Sequence, residues 1–139
     1  MTRKELERVY FLKRELKMWE QRLQDLYADI SQDSIAPDGM PHSVTNNTSS
    51  PTEIKAIQIA DHIDLIKGKQ AEIRVAIREV ESFIIGIDDP LIRQIVELRC
   101  VYCMTWEDVA EKIGNNTPEN TRLIYHRFIK TKFETNVTQ

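Results

Sequence analysis

Apolar residues near the start of the chain recur at alternating steps of three and four. Val9, Leu12, Leu16, Trp19, Leu23, Leu26 and Ile30 form one seam, and Lys, Arg, Glu and Gln crowd the positions between them. An apolar stripe of that period on a charged background predicts a helix over 2–30 that lies against a partner helix. Thr2 and Glu5 have the spacing of a capping box at its start.

A second seam runs through Ile59, Ile63, Ile66, Gln70, Ile73, Ile77, Val80 and Ile84. Ser50, Pro51 and Glu53 mark its start as N-cap, first helical residue and capping-box acid, and Gly86 marks its end before Asp88-Asp89-Pro90. Gln70 interrupts the apolar stripe. Either it fixes register by demanding a polar partner, or it sits exposed where the seam drifts. Ile54, Ile57, Leu65, Val75 and Ile85 fall outside the seam and widen the apolar face beyond what one partner helix covers, so a further copy of the chain is expected against it.

Between the two seams, residues 31–50 lose all periodicity, and Pro37, Gly39, Pro41 and a run of Ser, Thr and Asn predict a loop. Its length suits either disorder or a functional contact. Two long amphipathic helices joined in this way most simply fold back on each other, antiparallel.

Past Asp88 the pattern shortens to three helices with separate caps. Asp89 and Pro90 start the first, carrying Leu91, Ile92, Ile95, Val96, Leu98 and Cys100, with an end near Tyr102. Thr105 with Asp108 opens the second, in which Trp106, Val109, Ala110 and Ile113 make the apolar face and Gly114 ends it. After Asn115-Asn116, Thr117 caps the third with Pro118 at its first position, and Thr121, Ile124, Tyr125 and Phe128 form its inner stripe. Glu119, Asn120, Arg122, Leu123, His126, Arg127 and Lys130 then face outward. From Asn120 to Phe133 the charged residues are Arg122, Arg127, Lys130 and Lys132, all basic.

Composition agrees with helices throughout: 139 residues hold 4 Gly and 5 Pro, with 41% hydrophobic and 29% charged side chains. A net charge of -3 argues against a general polyanion binder, and residues 105–139 carry five basic and five acidic side chains. Any DNA contact by one copy would therefore involve few phosphates. No apolar run reaches the roughly 20 residues of a membrane span, and no secretory leader is legible. The expected setting is the cytoplasm, without membrane contact. Cys100 and Cys103 lack the second pair of ligands that a zinc site needs and read as buried thiols, while His42, His62 and His126 are scattered. No metal, no cofactor and no enzymatic activity are expected.

Leu98-Arg99 followed by Met104-Thr105-Trp106-Glu107-Asp108-Val109-Ala110-Glu111-Lys112-Ile113-Gly114 resembles region 4 of bacterial sigma factors. More narrowly, it resembles the small phage and prophage proteins that carry this module, among them the RinA and ArpU groups of late-transcription regulators. Gly39-Met40-Pro41, between a charged first helix and a long second one, extends the likeness over nearly the whole chain. Asn116 stands as an extra residue in the turn, Thr121 replaces an aliphatic residue and Phe128 a small one. The resemblance implies a sequence-specific transcriptional regulator of double-stranded DNA in a host bacterial cell. It leaves room for contact with host RNA polymerase, and 117–130 becomes the recognition helix.

The expectation is an all-α chain: a long antiparallel two-helix coiled arm over 1–87, oligomerising as a dimer or higher, followed by a three-helix helix-turn-helix domain over 88–139. Thr117, Asn120, Arg122, Leu123, His126, Arg127, Lys130 and Lys132 are the expected DNA-binding residues. A DNA-recognition subunit of a packaging machine, or a coiled-coil adaptor without DNA binding, would share this architecture.

Overall fold

The computed structural model describes residues 1–33 and 51–134. Every regular element among them is helical: α1 Arg3–Leu6, α2 Arg8–Asp33, α3 Pro51–Ile85, α4 Pro90–Val96, α5 Trp106–Ile113 and α6 Pro118–Ile129. Five-residue π-helical turns extend α4 over Glu97–Val101 and α6 over Lys130–Glu134. The first helix was expected over 2–30. It breaks at Glu7 and is helical as far as Asp33, so residues 31–33, expected in the loop, belong to the helix. Most of that expected loop, with Ser50, Gly39-Met40-Pro41 and His42, lies outside the described residues. None of the described helices is long and apolar enough to cross a membrane.

Contacts divide the chain into two compact units, Arg14–Ala71 and the remainder, Met1–Lys13 with Glu72–Gln139. In the first, α2 and α3 meet along their seams. Ile59 and Ile66 are buried, and Leu16, Trp19, Ile63, Leu23, Leu26 and Ile30 are half-buried, whereas their neighbours toward solvent are exposed. Lys69 Nζ lies 2.6 Å from Glu15 Oε1, and the Trp19 ring lies 5.4 Å from His62. Partner numbers on α3 fall as those on α2 rise, so the helices run antiparallel here. Gln70 is exposed and Lys69 turns toward α2 in its place. The Lys69 ammonium, followed by the Trp19 indole N–H, holds the Glu15 carboxyl below its ordinary range. His62 Nε2 is buried without a hydrogen-bond partner.

The second unit has a continuous core drawn from six helices. Leu6, Val9, Leu12, Ile73, Ala76, Val80 and Ile84 join Ile95, Val96, Val101, Val109, Ala110, Tyr125 and Ile129, all buried. The expected capping box of α1 is present, with Thr2 Oγ1 accepting from Glu5 N and Glu5 Oε2 accepting from Thr2 N. Lys13 Nζ donates to the Val101 carbonyl at 2.7 Å, and Arg8 pairs with Glu72 at 2.9 Å, so polar contacts flank the core of this unit.

Two backbone features shape the connections. The Met104 N–H reaches back to the Leu98 carbonyl at 3.1 Å, with Cys103 at φ 57 between them, the left-handed residue that closes a helix end and is usually Gly. Gly114 ends α5 at φ 77 and ψ 157, a region that side chains with a Cβ avoid, and Asn115 follows at φ 57.

Candidate nucleic-acid interface

Three side-chain caps fix where the short helices begin. Asp89 Oδ1 accepts from Leu91 N at 2.9 Å, Thr105 Oγ1 from Asp108 N at 3.3 Å, and Thr117 Oγ1 from Asn120 N at 3.1 Å. Each such cap stabilises its helix by about 1 kcal/mol. Here they also set the phase of α6, which decides what faces solvent.

That phase separates α6 into two faces. Thr121, Tyr125 and Ile129 are buried and Ile124 and Phe128 half-buried, against Val109 and Ala110 of α5 and the α4 core. Thr117, Asn120, Arg122, Leu123, His126, Arg127, Lys130 and Lys132, the residues expected to meet DNA, are all exposed. The inner stripe read from the sequence omitted Ile129, which is 1% exposed. Its signal was present, four residues after Tyr125, but masked by the basic residues around it.

The three positions that set this chain apart each have a local physical account. Thr121 is buried, yet its hydroxyl donates to the Pro118 carbonyl at 2.8 Å, so the polar group carries no unpaired penalty. The Phe128 ring lies 6.2 Å from Phe83 on α3, which gives the bulky residue apolar cover. Asn116 donates from Nδ2 to the Gly114 carbonyl and accepts from Asn120 Nδ2 at 2.8 Å, bracing the turn against the start of α6. Asn120 therefore faces solvent with one amide hydrogen already engaged.

Beside His126 a hollow of about 240 Å³ is lined by Tyr10, Phe11, Arg99, Trp106, Tyr125 and Glu7 among others. The Arg99 guanidinium stacks over Trp106 at 4.5 Å and donates from Nη1 to the Met104 carbonyl at 2.7 Å. The His126 ring leans toward Trp106 and Tyr125, with centroids 6.3 and 5.5 Å away, so its position is set by α5 as well as α6. Cys100 is 3% exposed with Sγ 3.6 Å from the Tyr125 hydroxyl, and burial pushes its thiol up to about 12. Burial likewise raises Cys103 and Tyr125. Among the described residues no group of three or more His, Cys, Asp or Glu side chains is placed to hold a metal ion.

Comparison of the chain with protein-family models, with curated proteins and with solved structures gives no match in any of the three.

Proposed function

We propose that this chain is a sequence-specific DNA-binding transcriptional regulator of the phage and prophage kind that its sigma region 4-like segment implies. In this reading α5, the Gly114-Asn115-Asn116 turn and α6 form a helix-turn-helix, with α6 in the major groove. The observation that carries it is the division of α6 and its extension: a packed inner face, and an exposed outer face bearing Arg122, Arg127, Lys130 and Lys132, with acidic residues only at the two ends, Glu119 and Glu134. Arg122 and Arg127 have the donors to read guanine edges, and Lys130 and Lys132 suit phosphates. α2 and α3 form the coiled arm. Ile54, Ile57, Leu65, Val75 and Ile85 of α3 are 39–79% exposed, and a second copy covers them. Two recognition helices on one assembly supply the affinity that a charge-neutral module lacks.

Selection of bound sequences from random duplex DNA tests this, with an Arg122→Ala, Arg127→Ala double variant beside the parent. An enriched, dyad-related motif that the variant no longer selects is the expected result. No enrichment with either protein sinks the reading and leaves a partner-dependent factor or an adaptor.

A further inference from the structure

Leu123 is 42% exposed on the face of α6 that otherwise carries charged and amide side chains. Asn120, Leu123, Arg127 and Lys130 step by three, four and three, so they share one stripe of the helix, and Leu123 lies between Asn120 and Arg127. The buried Thr121, Tyr125 and Ile129 lie on the opposite side. Leu123 thus lies outside the buried core, and it meets solvent where a contact with a polyanion would be centred. An apolar group whose neighbours one turn away are Glu119, Asn120, His126 and Arg127 does not serve phosphate binding. In the major groove, however, one base-pair edge offers an apolar group, the 5-methyl of thymine.

Resting on the reading of α6 as a recognition helix, we infer that Leu123 is a specificity-determining residue that selects thymine through its 5-methyl group. Asn120 and Arg127 flank that contact and fix its register on neighbouring bases. The chemistry is apolar contact without hydrogen bonding, so it distinguishes thymine from uracil by the methyl group alone. Burying one methyl corresponds to about a fourfold change in affinity per half-site.

The test begins from duplexes enriched by the full-length parent protein. Each thymine of the enriched motif is replaced singly by deoxyuridine, which keeps base pairing and removes only the methyl, and affinities are measured for the parent, Leu123→Ala and Leu123→Gln. The expected result is one thymine per half-site at which deoxyuridine weakens the parent about fourfold and neither variant at all. Because Leu123 is exposed, both variants keep the parent's circular dichroism. If duplexes are enriched but no thymine shows the effect, or if the effect persists in both variants, the role of Leu123 is overturned while the DNA-binding reading stands. If no duplex is enriched, the DNA-binding reading fails, and the role of Leu123 with it.

Discussion

The side-chain amide of Asn120 donates from Nδ2 to Oδ1 of Asn116 at 2.8 Å, linking the first turn of α6 to the loop before it. Asn116 in turn holds the Gly114 carbonyl at 3.2 Å, so one residue braces both sides of the turn. Asn116→Ala removes both bonds at a site that is only half-buried. The expected loss is about 1 kcal/mol in urea unfolding, with the far-ultraviolet spectrum unchanged. A loss above about 3 kcal/mol would mean that Asn116 supports the core rather than the turn.

Gly114 presents a different kind of constraint. Its φ of 77 with ψ of 157 belongs to a region open in practice to Gly alone, while a Cβ built there meets nothing within 4 Å. Gly114→Ala and Gly114→Ser should therefore cost about the same, on the order of 1–3 kcal/mol, because backbone strain and not crowding sets the loss. Thermal unfolding of both variants checks this, and a much larger loss for Ser than for Ala would reveal a steric limit instead.

Much of the helical layout was legible in the sequence because period and caps are local signals. Thr105, Gly114, Thr117 and Pro118 bound α5 and α6 where the pattern put them. The partner of each face was less legible, since periodicity tells which side of a helix is apolar and not what covers it. Val9 and Leu12 read as the start of a long seam, yet with Leu6 they belong to the compact unit that also holds α4, α5 and α6. The bond from Lys13 to the Val101 carbonyl spans 88 residues and has no local trace. Gln70 was open between two roles because the seam drifts by less than one residue per turn, and Lys69 took the inward place. Of the candidate interface, exposure of every named residue follows from the phase of α6, whereas the hold of Asn116 on Asn120 depends on a left-handed turn that residue types only suggest.

Cys100 gives the fold a dependence on alkaline pH. Burial first, and the nearby Glu7 and Cys103 after it, push its thiol up to about 12, against an ordinary value of 9.0. The folded thiol keeps its proton where the unfolded one loses it, so its contribution is fully present below pH 9 and is lost as pH rises toward about 12. Urea midpoints measured from pH 8 to 10.5 should fall for the parent, with this thiol contributing a slope of at most about 1.4 kcal/mol per pH unit. Cys100→Ala, less stable at pH 8 because of the cavity, should show the shallower decline. Equal slopes for both proteins would remove Cys100 as the cause.

Salt dependence separates the roles of the basic residues on α6. Lys130 is exposed at the C-cap of α6, suited to a phosphate, whereas Arg122 and Arg127 lie within the helix, Arg127 in its last turn. Lys130→Ala should weaken binding to all duplexes alike and reduce the slope of log affinity against log salt by about 0.9, leaving the selected motif unchanged. Arg127→Ala should alter base preference at one position of the motif. Titrations between 50 and 200 mM salt, on the selected motif and on a scrambled duplex, distinguish these outcomes. A motif altered by Lys130→Ala would overturn the assignment of Lys130 to a phosphate.

The proposed self-association would bury the exposed side of α3. Ile57 and Leu65 are 58% and 39% exposed, and neither supports the seam through Ile59, Ile63 and Ile66. A charge placed at either site leaves the core of one chain intact and makes burial against a second copy costly. Ile57→Asp with Leu65→Asp should thus sediment as a monomer at micromolar concentration with helicity preserved, whereas the parent sediments as a dimer or larger. DNA affinity should fall in parallel, because a single neutral recognition module makes few phosphate contacts. A parent that sediments as a monomer at that concentration would remove the oligomer, and with it the expectation of a dyad-related target.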